Sequence, residues 1–177
     1  MKPSGMQSKK WIVESFFDLL SIKPLNSITI SEITQNAEVD RRTFYRHFET
    51  KEEVISYYIH EEAKQCAEAL RQNKSVDNFA IAITFFEACA EMEEMLLILY
   101  KQNLLHLFLV ELNILFPKYQ KQLANQEELQ MGNREYILAY NIGGFWNLLI
   151  KWLEDGCKKT PEQMAVIVEQ VFSAQNI

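Results

Sequence analysis

Between Asp40 and His47 the chain reads DRRTFYRH. Arginine, threonine, tyrosine and histidine donate hydrogen bonds to phosphate oxygens and to base edges. On a helix, Phe44 and Phe48 share one face, and that face is a core face. Arg41, Arg42, Thr43, Tyr45, Arg46 and His47 are then left pointing largely away from the core. The chemistry this pattern suits is recognition of a polyanion by a short helix rich in donors.

The residues around it supply the elements that would position such a helix. Thr29 can cap a helix with its hydroxyl, and Glu32, three residues later, completes a capping-box pattern. Ile30, Ile33 and Ala37 form one apolar face at helical spacing. Ala37-Glu38-Val39 breaks that period, and Asp40 is a second N-cap whose charge suits the positive end of the helix it opens. Thr50, followed by Glu53, caps the next helix. Two short amphipathic helices joined by a tight turn are the helix-turn-helix signature.

From Ser8 to Tyr58 the chain resembles the DNA-binding domain of the TetR family of transcriptional regulators. The resemblance is carried by Ile28-Thr29-Ile30 with Ile33, Ala37-Glu38-Val39-Asp40, Thr43-Phe44-Tyr45, His47-Phe48 and Lys51-Glu52-Glu53. It implies that Thr43, Tyr45 and His47 hold phosphates and that Lys51 holds another from the start of the fourth helix. It also implies that Arg41 and Arg42, with Tyr45, read bases, and that Asp40 caps the recognition helix. With Thr29 at the head of the motif, the DNA-binding set is Thr29, Asp40, Arg41, Arg42, Thr43, Tyr45, His47 and Lys51. Two positions depart from the family pattern. Glu38 stands where the turn usually has glycine, and a left-handed residue with a Cβ costs roughly 1–2 kcal/mol. Arg42 stands where a small residue is common.

The net charge of −6 would argue against nucleic acid if it were spread evenly. Residues 1–51 instead hold 8 Lys+Arg against 6 Asp+Glu, and residues 52–177 hold 10 against 18. A mildly basic head on an acidic body suits a protein that presents one end to phosphates. Hydrophobic residues at 48% and aromatics at 12% exclude a disordered chain. Cys66, Cys89 and Cys157 are odd in number and lack metal-site spacing, so they read as small apolar residues in a reduced, cytoplasmic protein. No apolar signal or membrane-length run occurs.

With 5 Gly, 4 Pro and no strand-like alternation, the chain reads as all-α, with about nine helices. After a polar arm at Met1 to Gln7, a helix over 8–22 carries Trp11, Ile12, Phe16, Leu19 and Leu20. The DNA-binding domain is 1–51, a helix over 51–72 connects, and 73–177 is a helical regulatory and dimerisation domain. The connecting helix tracks its inner side through Val54, Ile55, Tyr58, Ile59, Glu62, Cys66, Ala69 and Leu70. Ser75 caps a helix over 76–90, and further helices fall at 91–101 and 103–123, the last kinked or shortened by Pro117. Residues 124–132 read as a loop. A helix over 133–155 contains Gly143-Gly144, which suggests close approach by another helix or room for a ligand, and Thr160-Pro161 opens the last helix.

Phe86, Cys89, Met92, Tyr100, Phe108, Tyr136, Tyr140 and Trp146 are candidates to line a pocket for a small apolar or aromatic inducer. The resemblance implies that the last two helices pair with their copies in a homodimer. Phe145, Trp146, Leu149, Trp152, Met164, Val168 and Phe172 are the candidates for that interface. His47, His60 and His106 are scattered, no catalytic motif occurs, and neither a cofactor nor a metal is implied, so the chain reads as a non-enzyme. The function expected is a repressor on double-stranded DNA with a palindromic operator, released by an inducer. The alternative is an activator or co-activator that works through a protein partner.

Overall fold

A computed structural model of the chain describes residues 5–72, 77–123 and 133–174. Helix α1 (Gly5–Ile22) buries Ile12, Val13, Phe16, Leu19 and Leu20 on one stripe. A 3-10 turn at Leu25–Ser27 follows Pro24 and leads to α2 (Ile30–Asn36) and α3 (Arg41–His47). The three helices pack on one another around Phe16, Ile33, Phe44 and Phe48, each nearly or wholly removed from solvent. Phe44 and Phe48 lie with ring centroids 5.7 Å apart, so the face expected from their spacing is the core face. The end of the polar arm is helical, because α1 already begins at Gly5. Residues 1–4 lie outside the described residues.

The connecting helix α4 (Glu52–Gln72) has Thr50 ahead of it, whose hydroxyl accepts from the Glu53 amide at 3.3 Å. It packs against α1 and, in the body, against α5 (Asn78–Glu91) and α7 (Leu105–Leu123). Its inner side holds Val54, Ile55, Ile59, Ala67 and Leu70. Ala69, expected there, is exposed, because at 100° per residue it falls between the buried positions 67 and 70 and points outward. α5 is capped by Asp77, whose carboxylate accepts from the Ala80 amide at 2.8 Å. The cap expected at Ser75 falls among residues 73–76, outside the described residues, and the observed cap stands two residues later.

Helix α6 (Glu93–Lys101) buries Met95, Leu96 and Leu99, and Asn103, at φ 57, reverses the chain into α7. α7 runs through Pro117 without ending. The proline removes the bond to the Asn113 carbonyl, and Asn113 is exposed, so water can satisfy that oxygen. The loop expected at 124–132 lies outside the described residues. Helix α8 (Arg134–Glu154) stops at Gly156, whose φ of 72 suits a residue without a Cβ. Helix α9 (Pro161–Ala174) has Pro161 in its first position. Thr160 and Gln163 cap it reciprocally, at 3.0 and 3.3 Å.

α9 packs against α5 over most of its length, which makes α5 the centre of the body. Phe86 of α5 meets Phe145 and Trp152 of α8 at 6.4 and 6.2 Å between ring centroids. The Trp152 indole donates to the Lys159 carbonyl at 2.9 Å and ties the turn between α8 and α9. One polar pair bridges α4 and α7, where the buried Glu111 meets His60 at 2.6 Å. The three cysteines are free thiols, and burial pushes Cys66 up to about 12. Among the described residues no helix is long and apolar enough to cross a membrane.

Candidate nucleic-acid interface

The interface is built from the turn outward. Thr29 accepts from the Glu32 amide at 3.2 Å, and the Glu32 carboxylate accepts from the Thr29 amide at 2.9 Å, completing the capping box. The Thr29 hydroxyl also donates to Glu32, at 2.8 Å, so its bonds serve the start of α2. Lys23 pairs with the same carboxylate. Its hydrogen bonds from Lys23 first, and then from Thr29, hold the Glu32 carboxyl down at about 2.

The chain reverses at Glu38, whose φ is 52, and the Val39 amide bonds back to the Thr34 carbonyl at 2.9 Å. Here a side chain stands in the left-handed region that glycine usually fills. Asp40 then opens α3, with its carboxylate accepting from the Thr43 amide at 2.6 Å. That backbone bond holds the carboxyl below its ordinary value.

From this base α3 presents Arg41, Arg42, Tyr45 and Arg46 to solvent, while Phe44 anchors it beneath. Tyr45 is 51% exposed, with its ring edge-on to Phe44 at 5.7 Å. Thr43 is half-buried. Arg46, four residues after Arg42, is exposed beside it and extends the basic face; sequence reasoning left it out of the DNA-binding set, although the helical period places it there. His47 is half-buried at the end of α3, 3.0 Å from the Ser8 hydroxyl of α1. Nothing in the sequence pointed to Ser8, since the two residues stand 39 apart in the chain.

Lys51 is turned inward. Its ammonium donates to the carbonyls of Leu25 and Ile28, both at 2.7 Å, and so fixes the turn before α2. The DNA-binding set thus divides. Arg41, Arg42 and Tyr45 are exposed donors on one short helix, whereas Thr29, Asp40 and Lys51 are engaged in holding the motif's backbone. Lys9 of α1 lies 4.2 Å above the Tyr57 ring and clamps α1 to α4 beneath this surface.

The expected pocket residues do not converge. Phe86, Cys89, Met92 and Phe108 are closed into the core. Tyr100, Tyr136 and Tyr140 are on the surface instead, at 38%, 77% and 62% exposure, and Trp146 is half-buried. Apolar periodicity marks packing faces without separating a core from a cavity, and the tyrosine hydroxyl tolerates water.

Five of the seven residues expected at a dimer interface lie inside the single chain. Phe145, Leu149, Trp152, Met164 and Val168 are buried within a single chain, because α9 packs on α5 and α8 packs on α6 and α7, with Phe145 and Trp152 against Phe86 of α5. The outer side of these helices carries an open groove of about 380 Å³, lined by Tyr140, Gly143, Gly144, Asn147, Leu148, Val171 and Phe172 with the edges of Phe145 and Val168. A Cβ placed on Gly143 or Gly144 meets nothing within 4 Å, so the glycines do not serve a close approach within this chain.

Two family models match separate stretches of the chain. A family model described as bacterial regulatory proteins, tetR family, matches residues 12–58. A second, described as transcriptional regulator C-terminal region, matches residues 77–174. The HTH-type dhaKLM operon transcriptional activator DhaS of Lactococcus lactis is 36% identical over 50 residues, which span 28% of this chain and 27% of that protein. Among solved structures, the dihydroxyacetone kinase operon activator DhaS superposes with a TM-score of 0.59 at 20% identity, over 95% of each chain. The fatty acid degradation regulator FadR of Bacillus halodurans does so with 0.61 at 18%, over 97% of this chain and 96% of that one. At these identities the structural likenesses establish a shared fold.

Proposed function

The chain belongs to the TetR family of bacterial transcriptional regulators, and from that premise we propose that it is a homodimeric repressor of a palindromic operator, released by a small inducer. The observation that carries the reading is the face of α3. Arg41, Arg42, Tyr45 and Arg46 stand exposed on one short helix whose underside is fixed by Phe44 and whose start is fixed by the Asp40 cap. Such a helix fits the major groove, with arginine able to pair with guanine O6 and N7 and the hydroxyls of Thr43 and Tyr45 suited to phosphates.

In this reading residues 1–51 are the DNA-binding domain, α4 connects, and 73–177 form the regulatory and dimerisation domain. Two copies meet through the outer faces of α8 and α9, where Tyr140 and Val171 are exposed beside the open glycine pair. Each copy then places one α3 in successive major grooves. The inducer acts through α4, which touches both α1 in the head and α7 in the body. A coupling of about 1–3 kcal/mol, roughly 5–150-fold in affinity, suffices for such a switch. We assign the chain no reaction.

The sign of regulation is tested by a reporter gene whose promoter overlaps a duplex that the protein binds. Repression predicts that expressing the protein lowers reporter output. Output that rises would make the protein an activator, as the name of the DhaS relative says of that protein.

A further inference from the structure

At the end of α3, His47 lies 3.0 Å from the buried Ser8 hydroxyl of α1. The Ser8 hydroxyl has one proton and donates it to the Gly5 carbonyl, at 3.0 Å. With the proton so placed, the ring is the donor in the 3.0 Å contact between Ser8 and His47 Nε2. A neutral imidazole protonated on Nε2 carries a lone pair on Nδ1. That nitrogen has no hydrogen-bond partner among the described residues. A DNA phosphate oxygen bears no proton, so it has nothing to offer that lone pair.

We propose that Ser8 is a positioning residue that sets the tautomer of His47, so that His47 holds a DNA phosphate through Nδ1 only as the imidazolium and DNA binding is coupled to proton uptake. The proposal rests on the reading of α3 as the helix that meets DNA. The surroundings favour the neutral ring in the free protein: burial first, then Arg46 of its own helix and Lys9 of α1, hold His47 below the ordinary histidine value. From α4, Tyr57 faces this corner and carries the Lys9 ammonium over its ring. From α2, the acidic group is Glu32, which is committed to Lys23 and Thr29. A phosphate beside the ring reverses the balance and raises its pKa. The proton is taken up between the two values, so affinity climbs as pH falls through the bound-state pKa and levels off below the free-state one.

The test is binding of the purified full chain to a mixed-sequence duplex at fixed low salt, followed by fluorescence anisotropy from about pH 5.5 to 8.5. Wild type should gain affinity as pH falls, at most about tenfold per pH unit for each engaged subunit. His47→Gln, whose amide donates without titrating, should flatten the profile. Ser8→Ala, which frees the ring proton to move to Nδ1, should flatten it too, and Ser8→Thr should keep the slope. A purely structural role for Ser8 would shift affinity equally at every pH. The tautomer itself is read from the ring nitrogen shifts of His47 by NMR, which decides the matter even if Ser8→Ala does not fold. A neutral ring protonated on Nδ1, a flat wild-type profile, or a His47→Gln slope equal to wild type would each overturn the proposal. A protein that binds no duplex at any pH counts against the DNA-binding reading itself, and the proposal falls with it.

Discussion

The Gln102 side-chain amide, at the end of α6, donates to the Leu20 carbonyl at the end of α1, at 3.0 Å. The same nitrogen reaches the Lys23 carbonyl at 3.3 Å. A body residue thus satisfies the open carbonyls at the end of a head helix, across 82 residues of chain. Gln102→Ala should lower stability by about 1–2 kcal/mol, because it leaves partly buried carbonyls without a donor. Gln102→Glu should cost more, since a carboxylate cannot donate and its charge faces the negative end of α1. Urea unfolding followed by circular dichroism measures both, and a wild-type midpoint for Gln102→Ala would show that water replaces the amide without loss.

Glu38 holds φ 52 in the turn between α2 and α3. Glu38→Gly should stabilise the protein by about 0.5–1 kcal/mol, the relief of left-handed strain less the added freedom of the unfolded chain. The urea midpoint should rise with an unchanged slope. A lower midpoint would mean that the Glu38 side chain contributes more than its backbone costs.

The Glu32 carboxyl is lowered from 4.5 to about 2 by Lys23 and by the Thr29 cap. A depressed folded-state value contributes stability above the unfolded-state pKa and loses it as pH falls through the folded one. The Glu32 contribution should therefore be whole at neutral pH and vanish between about 4.5 and 2. Urea midpoints across that range should converge for wild type and Glu32→Gln. Curves that stay parallel down to the lowest pH would remove Glu32 from the acid response.

Val171 lines the groove on the outer side of α8 and α9 and is 45% exposed in the single chain. Val171→Asp should fold normally yet lower the dimer fraction in light scattering, because pairing would bury an uncompensated charge. Trp152→Ser should instead unfold the chain, because Trp152 is 3% exposed and its indole holds the Lys159 carbonyl. A fully dimeric Val171→Asp protein would place the interface elsewhere.

The head was legible in the sequence because its signals are local. Thr29 with Glu32, Asp40 with Thr43, and Phe44 with Phe48 each act within one turn of helix, and each stands as the spacing implied. The body was less legible for a physical reason. α8 is apolar on two sides, and sequence alone does not tell the side that packs into the body from the side left open, so Leu149 and Trp152 were expected at an interface and lie in the core. Tyr136 and Tyr140 share a face four residues apart, but a tyrosine stripe reads the same whether it lines a cavity or meets water. Ser8 with His47 and Gln102 with Leu20 join residues that no periodicity connects.

In the proposed function α3 reads DNA as one half of a symmetric pair. Its most direct test is selection of duplexes from a random pool by the purified protein at a stated low salt, followed by sequencing. The expected result is a palindromic consensus whose half-sites lie about one helical turn, or ~10 bp, apart. Recovery of no enriched sequence, or of a single unpaired half-site, would contradict it.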